Sequence, residues 1–209
     1  MKMNKNERIL CFLEEIVPNP VCELNYNKDY ELLIAVMLSA QTTDKRVNIV
    51  TEELFSKYDN LEKLSRAKLS DIENIVHSLG NYSKKSKAVI EIAKQVNIWK
   101  TVPNNRKLLE SLPMVGRKTV SVVLSELFNE PNIAVDTHVE RVSKRLRLAR
   151  ENANVLEVER SLKRKIPREK WCVSHLRLVH FGRYFCIAKK PKCEGCKLND
   201  ICKYNKNKE

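Results

Sequence analysis

From Tyr30 to Ala40 the chain reads Tyr-Glu-Leu-Leu-Ile-Ala-Val-Met-Leu-Ser-Ala, almost continuously apolar and with no turn signal inside. That is too short for a membrane span, which needs about 20 residues, so it predicts a helix buried at the centre of a helical core. Such a helix has to be surrounded, and the rest of the chain supplies apolar stripes at helical spacing. Asn4 to Val17 puts Ile9, Leu10, Leu13, Ile16 and Val17 on one face before Pro18-Asn-Pro20 stops it. Gln41-Thr-Thr-Asp44 offers capping residues ahead of Val47, Val50, Leu54 and Tyr58. Ser70-Asp-Ile-Glu73 reads as a capping box for a helix carrying Ile72, Ile75, Val76 and Leu79, with Gly80 closing it in the left-handed conformation. The next helix runs from Ser83 to about Trp99 with Val89, Ile92 and Val96 inward. Further helices span Asn154 to Ile166 and Trp171 to Cys186. No alternating strand, low-complexity segment or whole-chain repeat appears, so the expected fold is all-α.

At 209 residues the chain can bury a core and form one domain or two small ones. Its 39 Lys and Arg against 26 Asp and Glu leave a net charge of +13. With both signs abundant, this is a folded basic protein and not a disordered tail. The excess favours a polyanionic partner, most simply nucleic acid, although a membrane surface or an acidic protein also satisfies it. The N-terminus lacks the apolar core and cleavage site of a secretory signal, so the expected location is cytoplasmic, nucleoid-associated and of bacterial or archaeal type. No large apolar stripe is left over once the helices are assigned, and a monomer is the expectation.

The stretch from Leu112 to Asp136 carries the candidate chemistry. Pro113 and Gly116 mark a tight turn, and Val120, Val123, Leu124, Leu127 and Phe128 then recur at helical spacing, so a helix begins near Arg117. Lys118 falls in its first turn. The positive end of the helix dipole there favours the neutral, nucleophilic amine. Asp136 precedes Thr137-His-Val, where it either caps a new helix or faces the lysine. Taken singly, a lysine is most simply a surface charge and an Asp before a helix a cap. Together with free turn amides they suit Schiff-base chemistry at a carbonyl or sugar C1′ beside a phosphate.

The seven cysteines crowd toward one end: Cys186, Cys193, Cys196 and Cys202 fall in the last 24 residues, while Cys11, Cys22 and Cys172 have no partner at ligand spacing. In a reducing compartment this clustering argues for metal over disulfides. Four thiolates suit a [4Fe-4S] cube or Zn²⁺, and spacing alone leaves both open. All four ligands come from protein, so a structural site is expected. The first interval presents Lys189, Lys190 and Lys192 on a metal-rigidified loop suited to phosphate contacts.

Leu112-Pro-Met-Val115-Gly116-Arg117-Lys118-Thr119 followed by Val135-Asp136-Thr-His138-Val resembles the helix-hairpin-helix and Lys/Asp segment of the endonuclease III family of DNA glycosylases. The spacing of the four cysteines resembles that family's C-terminal iron–sulfur loop. Leu38 to Asp44 and Gly80 to Ala88 also follow it, in order and at compatible separations. The resemblance implies a continuous helical domain over 22–130 and a second domain pairing 1–21 with 131–209, with the lesion site in the cleft between them. It implies a [4Fe-4S] cofactor and a bifunctional glycosylase and abasic-site lyase acting on duplex DNA. Lys118 would be the nucleophile and Asp136 its base or electrostatic partner. DNA would be held by the hairpin residues Met114, Val115, Gly116, Arg117 and Thr119, by His138 and by Lys85. Gln41 would enter the space left by the extruded base.

Two departures bear on this. Met114 stands where relatives usually carry glycine, which strains the hairpin if that position needs positive φ. Asn81 stands where some relatives place a leucine wedge, which changes how the duplex is opened. Two other readings remain beside the bifunctional one. In the first, a monofunctional glycosylase for adenine or mismatched thymine keeps Lys118 as a phosphate contact. In the second, a non-catalytic iron–sulfur protein binds DNA or senses redox state.

Overall fold

The structure is a computed structural model that describes residues 3–206. In chain order it forms α1 (Lys5–Ile16), α2 (Asp29–Leu38), α3 (Asp44–Lys57), α4 (Leu61–Ser65), α5 (Leu69–Val76) and α6 (Tyr82–Trp99). Then come α7 (Arg106–Glu110), α8 (Arg117–Phe128), α9 (Thr137–Arg145), α10 (Val155–Lys165), α11 (Trp171–His180) and α12 (Lys203–Lys206). Among the described residues there is no strand, as the patterning predicts, and no helix is long and apolar enough to cross a membrane.

One compact unit spans Cys22–Phe128. At its centre Tyr30 through Leu38 of α2 are all buried. Each Leu or Ile so enclosed contributes roughly 1.5–3 kcal/mol. The stripes of α3, α6 and α8 close on this helix, and α4 and α5 pack on α6. The start of α2 is tied down by its own carboxylates. Asp29 Oδ2 accepts hydrogen bonds from Thr101 Oγ1 and Val102 N at 2.7 Å each, and Glu31 Oε2 accepts from Asn27 N at 2.8 Å.

The other unit joins the segment up to Val21 with the chain from Asn129 onward. Ile9, Phe12 and Leu13 of α1 share a core with Val139 and Val142 of α9, Val158 and Leu162 of α10, and Leu178 and Val179 of α11. Arg177 of α11 fastens the end of α1, with Nε donating to Val17 O at 3.1 Å and Nη2 pairing with Glu14 at 2.7 Å. Beyond His180 the helix widens into a π-helical turn, Phe181–Phe185. Phe12 meets Phe181 and Phe185 edge-on, with centroids 6.0 and 5.8 Å apart.

Several local expectations change. α5 starts at Leu69 with Lys68 in the capping position and no side-chain cap, so the Ser70–Glu73 box is not used. Gly80 is not left-handed; Asn81 is, at φ 59°. Asparagine tolerates that region better than other residues with a Cβ, which lets the turn sit one position later. The helices α4, α7 and α12 have five residues or fewer, too few to display a period in the sequence.

Candidate active site and cysteine loop

Ser111 closes α7, and the chain turns through Leu112 to Gly116 into α8. Leu112 and Val115 are buried, and Val115 N donates to Leu112 O at 3.2 Å, so two apolar anchors and one hydrogen bond hold the turn. Met114 lies exposed between them at φ 59°. The position does require the left-handed region, at a cost of roughly 1–2 kcal/mol for a residue with a Cβ. Gly116 O accepts from Val120 N at 3.0 Å, opening α8. A Cβ built on Gly116 would meet nothing within 4 Å. Packing inside the protein therefore makes no demand for glycine there. Arg117 and Lys118 stand exposed and Thr119 half-buried in a first turn without an acidic residue, a setting whose free amides favour an anion.

Two other exposed apexes belong to the same unit. Gln41 tops the loop between α2 and α3 at φ 58°, and Asn81 precedes α6 at φ 59°. Lys85, expected at a phosphate, is instead 1 % exposed. Its Nζ donates to Leu38 O at 2.8 Å, Ala40 O at 2.9 Å and Thr42 Oγ1 at 3.3 Å, so its three donors are already spent inside the protein. Burial pushes its ammonium below the usual lysine range. The signal for this was present. Lys85 falls in helical phase with Val89, Ile92 and Val96, the buried stripe of α6.

Asp136 caps α9, its Oδ1 accepting from His138 N at 2.9 Å and Val139 N at 2.8 Å. His138 is half-buried, and burial, reinforced by Arg141 and Arg183 and opposed by Asp136, pushes its imidazole below the usual range. Burial there disfavours the charged imidazolium. A Cβ on Gly182 would lie 2.9 Å from His138 Cβ, so the glycine is what lets the π-helical turn approach α9. Two residues unremarked in the sequence do the holding there. Arg141 Nη2 donates to Gly182 O at 2.7 Å and Cys186 O at 3.3 Å. Arg145 donates to Cys186 Sγ at 3.3 Å, Ile187 O at 2.8 Å and Ala188 O at 3.0 Å, and lies over the Tyr204 ring at 4.0 Å. Their spacing of four along α9 was the available clue. Lys189, Lys190 and Lys192 are all exposed on the loop they clasp.

Two family models match the chain: the HhH-GPD superfamily base excision DNA repair proteins over residues 34–168 and the iron–sulfur binding domain of endonuclease III over 186–202. Endonuclease III of Bacillus subtilis (strain 168) is 42% identical over 211 residues, covering 100% of this chain and 96% of its own. Endonuclease III of Escherichia coli (strain K12) is 40% identical over 208 residues, covering 97% of each. The chain belongs to the endonuclease III family. A solved endonuclease III trapped as a covalent intermediate with DNA matches with TM-score 0.91, 41% identity and 99% of both chains covered. A thermostable thymine-DNA glycosylase matches at 0.84, with 25% identity and 97% of both chains covered.

This member of the family is a base excision DNA glycosylase and abasic-site lyase whose partner is DNA and whose cofactor is a [4Fe-4S] cluster. The donor set fits the cluster. Cys186, Cys193, Cys196 and Cys202 line one cavity, walled otherwise by groups such as Leu146, Phe181 and Phe185. Among the described residues no three His, Cys, Asp or Glu are grouped to hold a single ion; the sulfurs stand around a space. Burial pushes the Cys196 thiol up, and Cys202, Cys186 and Cys193 add to it. A cationic iron centre held by these four sulfurs would relieve that mutual repulsion.

Proposed function

We propose that this enzyme removes oxidised pyrimidines from duplex DNA and then cuts the strand 3′ to the abasic site, with Lys118 as nucleophile. The observation that carries the reading is Lys118 exposed in the first turn of α8, directly after the hairpin, with no acidic residue in that turn to pair with it. A relative of the same length and fold has been trapped covalently on DNA.

In this account the amides at the start of α8 and Gly116, which no protein atom crowds, take a phosphate of the damaged strand. The amine of Lys118 attacks the deoxyribose C1′ of an extruded nucleotide. The C1′–N bond breaks, and the base leaves with the electron pair and a proton. The sugar ring opens to an imine on Lys118. Loss of a C2′ proton, assisted by Asp136, expels the 3′ phosphate by β-elimination, and water releases the lysine. An oxidised pyrimidine has lost aromatic stacking and costs less to extrude. Gln41 and Asn81 meet the opened duplex, and Lys189, Lys190 and Lys192 take flanking phosphates. The cluster holds its loop in shape. The working state is a monomer in the cytoplasm, at the nucleoid.

The products on a duplex carrying one thymine glycol test this. The native chain is expected to yield a cleaved strand ending in an unsaturated aldehyde, and Lys118→Ala to yield none. Base release with an intact strand from the native chain would establish a monofunctional enzyme instead.

A further inference from the structure

The loop that carries Gln41 has a foundation made of one side chain. Helix α2 ends at Leu38, at the negative end of the helix dipole; Ser39 and Ala40 take up the carbonyls of Ala35, Val36 and Met37, and that of Leu38 is left to Lys85. The chain reaches α3 through the five residues 39–43, and Gln41 at their tip takes a left-handed conformation that a residue with a Cβ seldom adopts. Beneath it the Lys85 ammonium gathers the carbonyls of Leu38 and Ala40 and the hydroxyl of Thr42. No carboxylate pairs with Lys85 among the described residues, and a buried lysine without one is rare. Its charge is matched by the dipoles of the loop it holds.

Lys85 also belongs to the other apex. Its backbone N–H donates to Asn81 O at 3.0 Å, the first helical bond after the left-handed Asn81. One residue thus anchors the two exposed, left-handed tips at Gln41 and Asn81. We infer that Lys85 is a positioning residue for base extrusion: it presets the Gln41 loop, in register with Asn81, before DNA arrives. The inference rests on the proposed engagement of the opened duplex by Gln41. Without the ammonium, the carbonyl of Leu38 has to find another donor, that of Ala40 keeps only the Thr42 hydroxyl, and the tip relaxes toward commoner backbone angles. Gln41 then reaches the helix in many orientations rather than one. An arginine fork does not substitute, because its donors lie in a plane whereas the three acceptors surround an ammonium.

The test compares Lys85→Met, Gln41→Ala and the double variant. Each is assayed in single turnover on a thymine glycol duplex with a fluorescent purine analogue opposite the lesion to report opening, and on a single-stranded abasic oligonucleotide that needs no opening. Each single variant is expected to lose about tenfold or more in opening and excision on the duplex, beyond any loss on the single strand. The double variant is expected to be no worse than the worse single, because both act through one loop. Losses that multiply, or a Lys85→Met enzyme that opens the duplex like the native one while Gln41→Ala does not, would overturn the inference. A Gln41→Ala enzyme that opens duplex normally would instead overturn the role of Gln41 on which it rests. Should Lys85→Met fail to fold, Thr42→Val removes one acceptor and is expected to show a smaller loss of the same kind.

Discussion

The Gln41 loop and the cysteine loop solve one problem in two ways. Each is a functional segment whose backbone carbonyls have no helix or strand to pair with, and each is held by cationic side chains from a neighbouring helix. For the Gln41 loop the holder is a single buried lysine with three acceptors. For the cysteine loop it is a pair of half-buried arginines, Arg141 and Arg145, gripping the oxygens of residues 182 and 186–188, with four cysteines besides. Support concentrated in one side chain presets a tip sharply and fails at once when that side chain is lost. Support shared between two arginines beside a cofactor outlasts the loss of either arginine. The first would suit the part proposed here to enter the opened duplex, the second a part that has to keep its shape.

The contrast can be broken most severely at the cofactor. Cys202→Ser, at the buried member of the four cysteines, is expected to abolish the cluster's visible absorbance and to lower stability by about 4 kcal/mol or more, read by a thermal melt. A variant that keeps its iron would remove Cys202 from the ligand set. Next in size, Lys85→Met leaves the buried carbonyl of Leu38 without its ammonium donor and is expected to cost about 2 kcal/mol in denaturant unfolding. Arg145→Met is expected to cost about 1 kcal/mol, and to speed loss of iron to a chelator, because Arg141 and the cysteines remain. An effect of Arg145→Met larger than that of Lys85→Met would reverse the comparison. Met114→Gly relieves a left-handed residue with a Cβ and is expected to raise stability by about 0.5–1 kcal/mol, since part of the gain is lost to glycine's freedom in the unfolded chain.

The smallest effect concerns pH. His138 is held below its unfolded value of 6.5 by burial. Below that value the unfolded chain binds a proton that the folded chain resists. Stability is therefore full above about pH 6.5 and falls as the pH drops toward the folded value. His138→Gln is expected to flatten the decline in melting temperature over that window. An unchanged decline would assign it to other groups.

The helices of this fold are legible because most of them are long enough to repeat. Tyr30 to Leu38 announces a buried helix by being apolar throughout, and Asn4 and Asn154 announce helix starts through the Glu three residues after each. The hairpin and the four cysteines are legible because their spacing is local. What escaped was set by contacts between distant segments. Lys85 looks like its neighbours Lys84 and Lys87 until its helical phase is compared with Val89 and Ile92. Arg141 and Arg145 are two arginines among many until the chain folds Cys186 back against α9. Met114 is the instructive middle case. A sequence can say that glycine is missing, but only the backbone shows that the position is left-handed and that the methionine stays there.

The most direct measurement is borohydride trapping on a duplex with a single thymine glycol, followed by peptide mapping of the adduct. The account predicts a reduced covalent complex with DNA attached at Lys118, and no complex from Lys118→Ala. An adduct on another lysine, or one that survives Lys118→Ala, would contradict it.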